Sequence, residues 1–254
     1  MNYKELLESG EPIYKENDRF KYFKNPVTSE RYFSNYLSYK VMPTVDELKV
    51  DLAYIADEQA NYASDFAFLF FAEKEEFSDV LRKELEEQGF EFSKHLVFTN
   101  SVDQLQLPPR DLGAIKIVEL TEEHLETYIQ MKYQGNLEYG QVYANQMKAD
   151  HEETLLSNSS KVYLALEGDK IIGDVTAWFF GAYVEVDDFH VAKEYRGRGI
   201  GTALQLAAIA DYQKVILISE EENRAMYEHQ GYTEVSWYWT VLKSNNRSYK
   251  GEEE

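Results

Sequence analysis

Val191-Ala192-Lys193-Glu194-Tyr195-Arg196-Gly197-Arg198-Gly199-Ile200-Gly201-Thr202 is the stretch on which the reading of this chain turns. Three glycines at alternate positions let the backbone approach a ligand and adopt turns that a Cβ would oppose. Beyond them, Ile200, Ala203, Leu204, Ala207 and Ala208 fall at i, i+3, i+4, i+7 and i+8, the apolar stripe of a helix packed on one side. The first turn of such a helix has N–H donors without intrahelical partners and the positive end of the macrodipole, so a diphosphate is its natural ligand. Arg196 and Arg198 add full charges beside it. Residues 182–191 read as a strand entering the loop, so the site sits at a strand-to-helix corner.

Two common phosphate loops are excluded. Gly-x-Gly-x-x-Gly fails because Thr202 holds the last position, and the Walker pattern lacks its Gly-Lys-Ser/Thr. Arg196 to Gly201 instead matches Arg/Gln-x-x-Gly-x-Gly/Ala, and with Asp188-Phe189-His190-Val191 before it the segment resembles the acyl-CoA site of the GNAT superfamily of N-acetyltransferases. The resemblance covers about residues 112–244. It implies a mixed, mostly antiparallel sheet flanked by helices, the α/β acyl-CoA N-acyltransferase fold, preceded here by a smaller α+β domain.

Composition narrows the chemistry. The 254 residues suffice for two domains, and 44% hydrophobic residues with 20 Tyr and 14 Phe supply core material. Without cysteine, a disulfide, a thiolate metal site and a covalent Cys-acyl intermediate are excluded. No apolar run reaches membrane-span length and the start lacks a basic, then apolar, leader, so a soluble cytoplasmic protein with no membrane partner is expected. A net charge of −20 argues against nucleic acid and favours cationic small molecules or basic peptides, although acidity also serves solubility. The histidines, His95, His124, His151, His190 and His229, show no ligand spacing, so no metal is expected.

The elements after residue 114 read in order: a strand at 115–120, a helix capped by Thr121 with Leu125, Tyr128 and Ile129 buried, and a break at 135–140 before a second helix. A hairpin follows, 161–166 and 170–180 around Glu167-Gly168-Asp169. Residues 214–219 form a strand, 221–230 a helix closed by Gly231, and 232–242 a final strand. Leu107-Pro108-Pro109-Arg110 reads as a stiff linker, dividing the chain into 1–110, 111–244 and an acidic polar tail, 245–254. In the first part Thr44-Val45-Asp46-Glu47 is a capping box opening a helix with Val45, Leu48, Leu52 and Ile55 on one face. The order strand 66–71, helix 74–88, Gln88-Gly89-Phe90, strand to 99 repeats strand 214–219, helix, Gln230-Gly231-Tyr232, strand. Either the first domain is a degenerate relative of the second, with Leu85 where the second has Tyr227, or this is an independent use of a common unit. It lacks the Arg-x-x-Gly-x-Gly loop and so is not expected to bind CoA.

Acetyl transfer from a thioester to an amine requires that the amine lose a proton, that the oxyanion meet donors, and that the departing thiolate gain a proton. The resemblance implies acetyl-CoA as cosubstrate, direct attack by an amine, and Tyr227, four residues before Gly231, as proton donor to the thiolate. It also implies main-chain groups of Phe189, His190 and Val191 along the pantetheine arm, and Arg196, Gly197, Arg198, Gly199, Ile200, Gly201 and Thr202 around the pyrophosphate. Asn223 is a further cofactor contact, although its spacing to Tyr227 is shorter than the family pattern. For the base, strand alternation puts Glu185 and Asp187 on one face and Asp188 and His190 on the other. Glu185 stands where some family members carry a glutamate base, with Asp187 and Asp188 as alternatives and water as a further route. His190 reads as structural. The acceptor, a small amine or a protein amine, is undetermined. A non-catalytic acyl-CoA-binding or regulatory protein is the alternative function, and a homodimer is compatible with either.

Overall fold

The computed structural model describes residues 2–157 and 159–244. Along the chain run α1 (Tyr3–Leu7), β1 (Ile13–Glu16), β2 (Phe20–Phe23), β3 (Tyr36–Tyr39), α2 (Val45–Glu58), β4 (Phe66–Phe70), α3 (Asp79–Glu87) and β5 (Glu91–Ser101). There follow β6 (Ile115–Glu119), α4 (Glu122–Asn136), α5 (Gln141–Thr154), β7 (Ser160–Glu167), β8 (Lys170–Phe180) and β9 (Tyr183–Val191). The chain then forms α6 (Ile200–Ile209), β10 (Lys214–Ser219), α7 (Arg224–His229) and β11 (Thr233–Ser244). The acidic tail expected at 245–254 lies outside the described residues. Among those described, no helix is long and apolar enough to cross a membrane.

The described residues form two compact units, those within 1–95, 132–150 and 236–254 making one and those within 96–131 and 151–235 the other. They do not coincide with the division at the Pro-Pro linker, because strand pairing outweighs chain order. Leu96–Ser101 of β5 pairs antiparallel with β10, which ties it to the second unit. Residues 240–244 of β11 pair antiparallel with β4, which ties them to the first. Each unit therefore takes a strand from the other half of the sequence.

In the first unit β1, β2 and β3 pair antiparallel in order, β3 and β4 pair parallel, and β4 meets β11. The parallel pair is joined by α2, whose predicted capping box is present: Thr44 Oγ1 accepts from the Glu47 N–H at 3.3 Å and Glu47 Oε2 accepts from the Thr44 N–H at 2.8 Å. Leu48 and Ile55 are fully buried in a core with Tyr22, Leu37, Tyr39, Leu69 and Phe71, and each stabilises by about 1.5–3 kcal/mol. The helix expected at 74–88 begins only at Asp79. Lys74 takes a left-handed φ of 63° and donates its N–H to Trp237 O at 2.9 Å. Ser78 then caps the helix by accepting from the Leu81 N–H at 3.3 Å.

The second unit pairs β6, β7, β8 and β9 antiparallel, then β9 and β10 parallel, then β10 and β5 antiparallel. Val162 and Leu164 on β7 and their cross-strand partners Thr176 and Asp174 on β8 point to one face, where Tyr128 of α4 is buried. The opposite face is covered by α6, whose Ile200, Leu204 and Ala208 are buried as the stripe predicts. This is the mixed, mostly antiparallel sheet flanked by helices expected from the sequence.

The internal repeat extends to individual hydrogen bonds. At the end of α3, the N–H groups of Gln88, Gly89 and Phe90 bond the carbonyls of Glu84, Glu86 and Leu85 at 3.1, 3.0 and 3.1 Å. At the end of α7, those of Gln230, Gly231 and Tyr232 bond Met226, Glu228 and Tyr227 at 3.1, 3.0 and 3.0 Å. Both are Schellman caps with a left-handed glycine, φ 81° at Gly89 and 88° at Gly231. Their surroundings differ: a Cβ at Gly89 meets open space, whereas one at Gly231 would lie 2.8 Å from the Gln104 carbonyl oxygen. Gly89→Ala should thus cost about 1–2 kcal/mol for the backbone alone, and Gly231→Ala about 1–3 kcal/mol more for the displaced main chain. Urea titration of the two variants measures the difference, and equal losses would refute the contact.

Candidate functional site

The ladder between β9 and β10 covers Tyr183–Glu185 and Lys214–Ile216, and among the described residues it goes no further. Both strands continue, β9 to Val191 and β10 to Ser219. Beyond Glu185, β9 runs on without a ladder to β10 among the described residues, through Phe189, His190 and Val191 towards the glycine loop. An extended ligand carrying amides can lie along such a stretch as an added strand.

At the open end of β9 the chain turns through Lys193–Tyr195 into the glycine loop. Gly199 is the N-cap of α6, in the left-handed region with φ 88°, and no side chain caps the helix. The donors of the first turn and the positive dipole end are thus left to a ligand. Arg196 Nε donates to Val191 O at 3.0 Å and Arg198 Nη2 to Glu194 O at 3.0 Å, which fixes both stems beside the loop. The Arg198 guanidinium lies 4.9 Å over the ring of Tyr195, whose hydroxyl donates to Glu167 Oε2 at 2.6 Å. A third cation, which the sequence pattern does not reveal, joins them. Arg110 Nη1 reaches Gly197 O at 3.5 Å, and its stem lies where a Cβ at Gly199 would come within 2.8 Å of its Cδ. Its place after two prolines carries no signal of this role.

Strand β9 is not regular. Asp174 pairs with His190 and Thr176 with Asp187, so the register slips by one residue on β9, and Asp188 there has φ 47°. Asp is among the few residues that tolerate this region. The extra residue of the bulge inverts every side chain beyond it. The alternation expected from sequence is corrected accordingly. Glu185 and Asp187 share the face of their partners Trp178 and Thr176, and His190 joins them on that face beside Asp174. Glu185 stands at the last paired position of the β9–β10 ladder, opposite Ile216. Phe189 is exposed on the strand before the loop.

His190 Nδ1 lies 3.5 Å from Asp174 Oδ1. Asp174 is buried and accepts a hydrogen bond from Tyr128 Oη at 3.0 Å. Burial, with the charges of Asp174 and Asp188 beside it, holds the Tyr128 phenol far above the usual tyrosine range, so it remains a donor. No motif singles out Asp174 or Tyr128 as functional, although a charged residue inside Ile171-Ile172-Gly173-Asp174-Val175 is a readable signal.

Tyr227 lies in α7 with its ring 5.6 Å from Phe98 and 5.6 Å from Tyr232. Burial pushes its pKa up against a hydrogen bond with the Ser219 side chain. Ser219 ends β10, so the phenol stands at the far end of the strand that parts from β9. Asn223 precedes α7 as an exposed N-cap without a side-chain bond to the helix. Among the described residues no group of three His, Cys, Asp or Glu is placed to hold a metal ion.

The corresponding place in the first unit is filled by the chain itself. Beyond the parallel pairs Leu37–Leu69 and Ser38–Phe70, the rings of Tyr39 and Phe71 stack at 5.3 Å. Lys4 of α1 donates to Ser38 Oγ at 2.8 Å and to Tyr39 O at 2.7 Å. Glu47 occupies the helix N-terminus that a phosphate would need.

Residues 158–234 match the family model described as an acetyltransferase (GNAT) domain, and residues 1–96 match one described as a domain of unknown function (DUF5613). No curated protein matches the sequence. Among solved structures, the chain is similar to a functionally unknown conserved protein from Staphylococcus epidermidis ATCC 12228, at 23% identity and TM-score 0.80 over 93% of this chain and 95% of that one. It is also similar to a GCN5-related N-acetyltransferase from Kribbella flavida, at 12% identity and TM-score 0.59 over 95% and 92% of the two chains. A tandem GNAT protein from the clavulanic acid biosynthesis pathway aligns at 12% identity and TM-score 0.53 over 83% of this chain and 75% of that one. At these identities the likeness shows the fold. That likeness of fold extends over most of the chain, the N-terminal residues included.

The bulge makes a specific prediction. Asp188→Gly should leave the fold intact, whereas Asp188→Val should lose about 1–2 kcal/mol from the left-handed backbone. Thermal and urea unfolding of both variants check this, and an unaffected valine variant would remove the bulge from the account.

Proposed function

We propose, with residues 158–234 identified as a GNAT domain, that this chain is an acyl-CoA-dependent N-acyltransferase that moves an acetyl group from acetyl-CoA to a primary amine. The observation that carries the reading is the parting of β9 from β10 next to an uncapped helix N-terminus. A pantetheine arm carries amides that suit the main chain of β9 at 189–191, where its ladder with β10 has ended, and a pyrophosphate suits the donors of α6 flanked by Arg196 and Arg198. In this reading the main chain of Phe189, His190 and Val191 lines the arm, and residues 196–202 hold the diphosphate. Bound acetyl-CoA supplies the thioester. The chain's own residues orient it and move the protons that the transfer requires.

Tyr227 is assigned as donor to the departing thiolate. Its phenol, raised in pKa by burial, is neutral at physiological pH and stands beside the end of β10. Glu185 and Asp187 share the face towards α4 and are assigned to receive or orient the acceptor. The net charge of −20 favours a cationic acceptor, and the reaction is proposed to be cytoplasmic. A non-catalytic acyl-CoA-binding role is favoured by one observation, the packing of Tyr227 between two rings.

Calorimetry with acetyl-CoA should show binding that Gly199→Glu abolishes, and absence of binding by the wild type would end the acyl-CoA reading. An amine screen with thiol detection then separates enzyme from binding protein. Tyr227→Phe should lower kcat on the order of a hundredfold with acetyl-CoA affinity unchanged, and wild-type turnover by this variant would remove its role. Because burial raises the Tyr227 pKa, the phenol keeps its proton to higher pH than a free tyrosine. The alkaline loss of kcat that depends on Tyr227 should therefore lie above about pH 10, measured as a pH–rate profile against Tyr227→Phe.

A further inference from the structure

Three groups from three elements meet on the α4 side of the second unit's sheet. Tyr128 of α4 donates to Asp174 of β8 at 3.0 Å, and Asp174 faces Nδ1 of His190 on β9 at 3.5 Å. Exposure rises steeply along this line: the Asp174 side chain is 2% exposed and that of His190 54% exposed. A carboxylate taken out of water at this depth is costly unless it is hydrogen-bonded or opposed by a positive charge. Tyr128 provides a hydrogen bond, and the Nδ1 edge of His190 faces the same carboxylate. A ring that presents Nδ1 to Asp174 has Nε2 on its other side, away from the buried carboxylate.

The bulge at Asp188 creates this arrangement. Without the extra residue His190 would point to the α6 face, with Val184 and Val186. With it, His190 stands on the face of Glu185 and Asp187, in the part of β9 that has left β10. A left-handed aspartate in mid-strand is an uncommon backbone state, and its consequence here is to aim one imidazole at one buried carboxylate.

We propose that His190 is the base of the transfer, with Asp174 as its positioning residue and Tyr128 as the anchor of Asp174. This deepens the acyltransferase reading and rests on it. The neutral amine attacks the thioester carbonyl carbon, forming the C–N bond. Nε2 of His190 takes one proton from the nitrogen and passes it to water. The C–S bond breaks with its electron pair on sulfur, and the thiolate takes a proton from Tyr227, which water restores. Asp174 fixes the tautomer by accepting at Nδ1–H and offsets the charge of the imidazolium, the service a buried carboxylate gives a catalytic histidine. A separation of 3.5 Å is loose for a hydrogen bond, and such contacts tighten when the substrate is bound. Asp174 from β8 faces the ring, Tyr128 from α4 lies behind Asp174, and Glu185, Asp187 and Asp188 are the acidic residues of its own strand.

The test uses the full chain with acetyl-CoA and spermidine as a cationic probe amine, following thiol release, with hydrolysis by water measured in parallel. His190→Gln should lower kcat about a hundredfold, leave acetyl-CoA affinity unchanged, and abolish the acid limb of the kcat/KM profile. Asp174→Asn should give a smaller loss and displace that limb. If it fails to fold, Tyr128→Phe, which removes the same anchor, should displace the limb instead. Wild-type turnover by His190→Gln, or an acid limb unmoved in these variants, overturns the proposal. Failure of the wild type to bind acetyl-CoA would sink the acyl-CoA reading itself. Binding without thiol release to spermidine or to water would overturn the assignment of a base while leaving that reading in place.

Discussion

The parallel ladder between β9 and β10 stops after three residues, at Glu185 and Ile216, and the rest of the second unit is arranged around that stop. Backbone N–H and C=O groups must find partners, so a strand edge released inside a sheet is a place for a ligand. The bulge at Asp188 falls in the released part of β9, and the glycine loop follows it. The first unit shows the opposite solution at the corresponding place. There Tyr39 and Phe71 stack beyond the last parallel pair, Lys4 donates to the Tyr39 carbonyl, and Glu47 closes the helix N-terminus.

The two halves of the sequence are therefore variations on one construction, a parallel strand pair joined by a helix and followed by a helix and a strand. The strongest sign is the pair of Schellman caps, in which three hydrogen bonds recur between corresponding residues at nearly the same lengths. What distinguishes the copies is chemical. Where the second has Tyr227, the first has Leu85, fully buried. A hydroxyl that could serve a reaction is replaced by a side chain that can only pack. The first unit has the same frame, with core side chains at the place where the second has its parting strands.

Much of this is legible without coordinates. The stripe of Ile200, Leu204 and Ala208, the capping box at Thr44 and the hairpin at Gly168 are local features, and each occurs as read. The start of α3 departs from the pattern because Lys74 adopts a left-handed turn held by Trp237, a residue remote in the sequence. The faces of β9 depart from simple alternation beyond Asp187 because a period of two has no way to count an inserted residue. Asp174, Tyr128 and Arg110 escape a reading of the sequence for a related reason. Each matters through a distant neighbour: Tyr128 and Asp174 stand 46 residues apart, Arg110 and Gly197 87, and Asp174 meets His190 only through the pairing of β8 with β9.

The sequence by itself determined the glycine loop and the helix it opens, since glycine spacing, two arginines and one amphipathic stripe lie within a single local stretch whose conformational preferences are set by its own residues. It also determined the recurring helix, glycine cap and strand, because caps and strand runs are written locally. Tertiary structure alone decided where the units divide, since Leu96–Ser101 and residues 240–244 go where their ladder partners are. It alone decided which side chains meet on the face of β9. A one-residue slip in strand register reverses every side chain that follows, and that slip is set by the pairing of β9 with β8, not by the order of residues along β9.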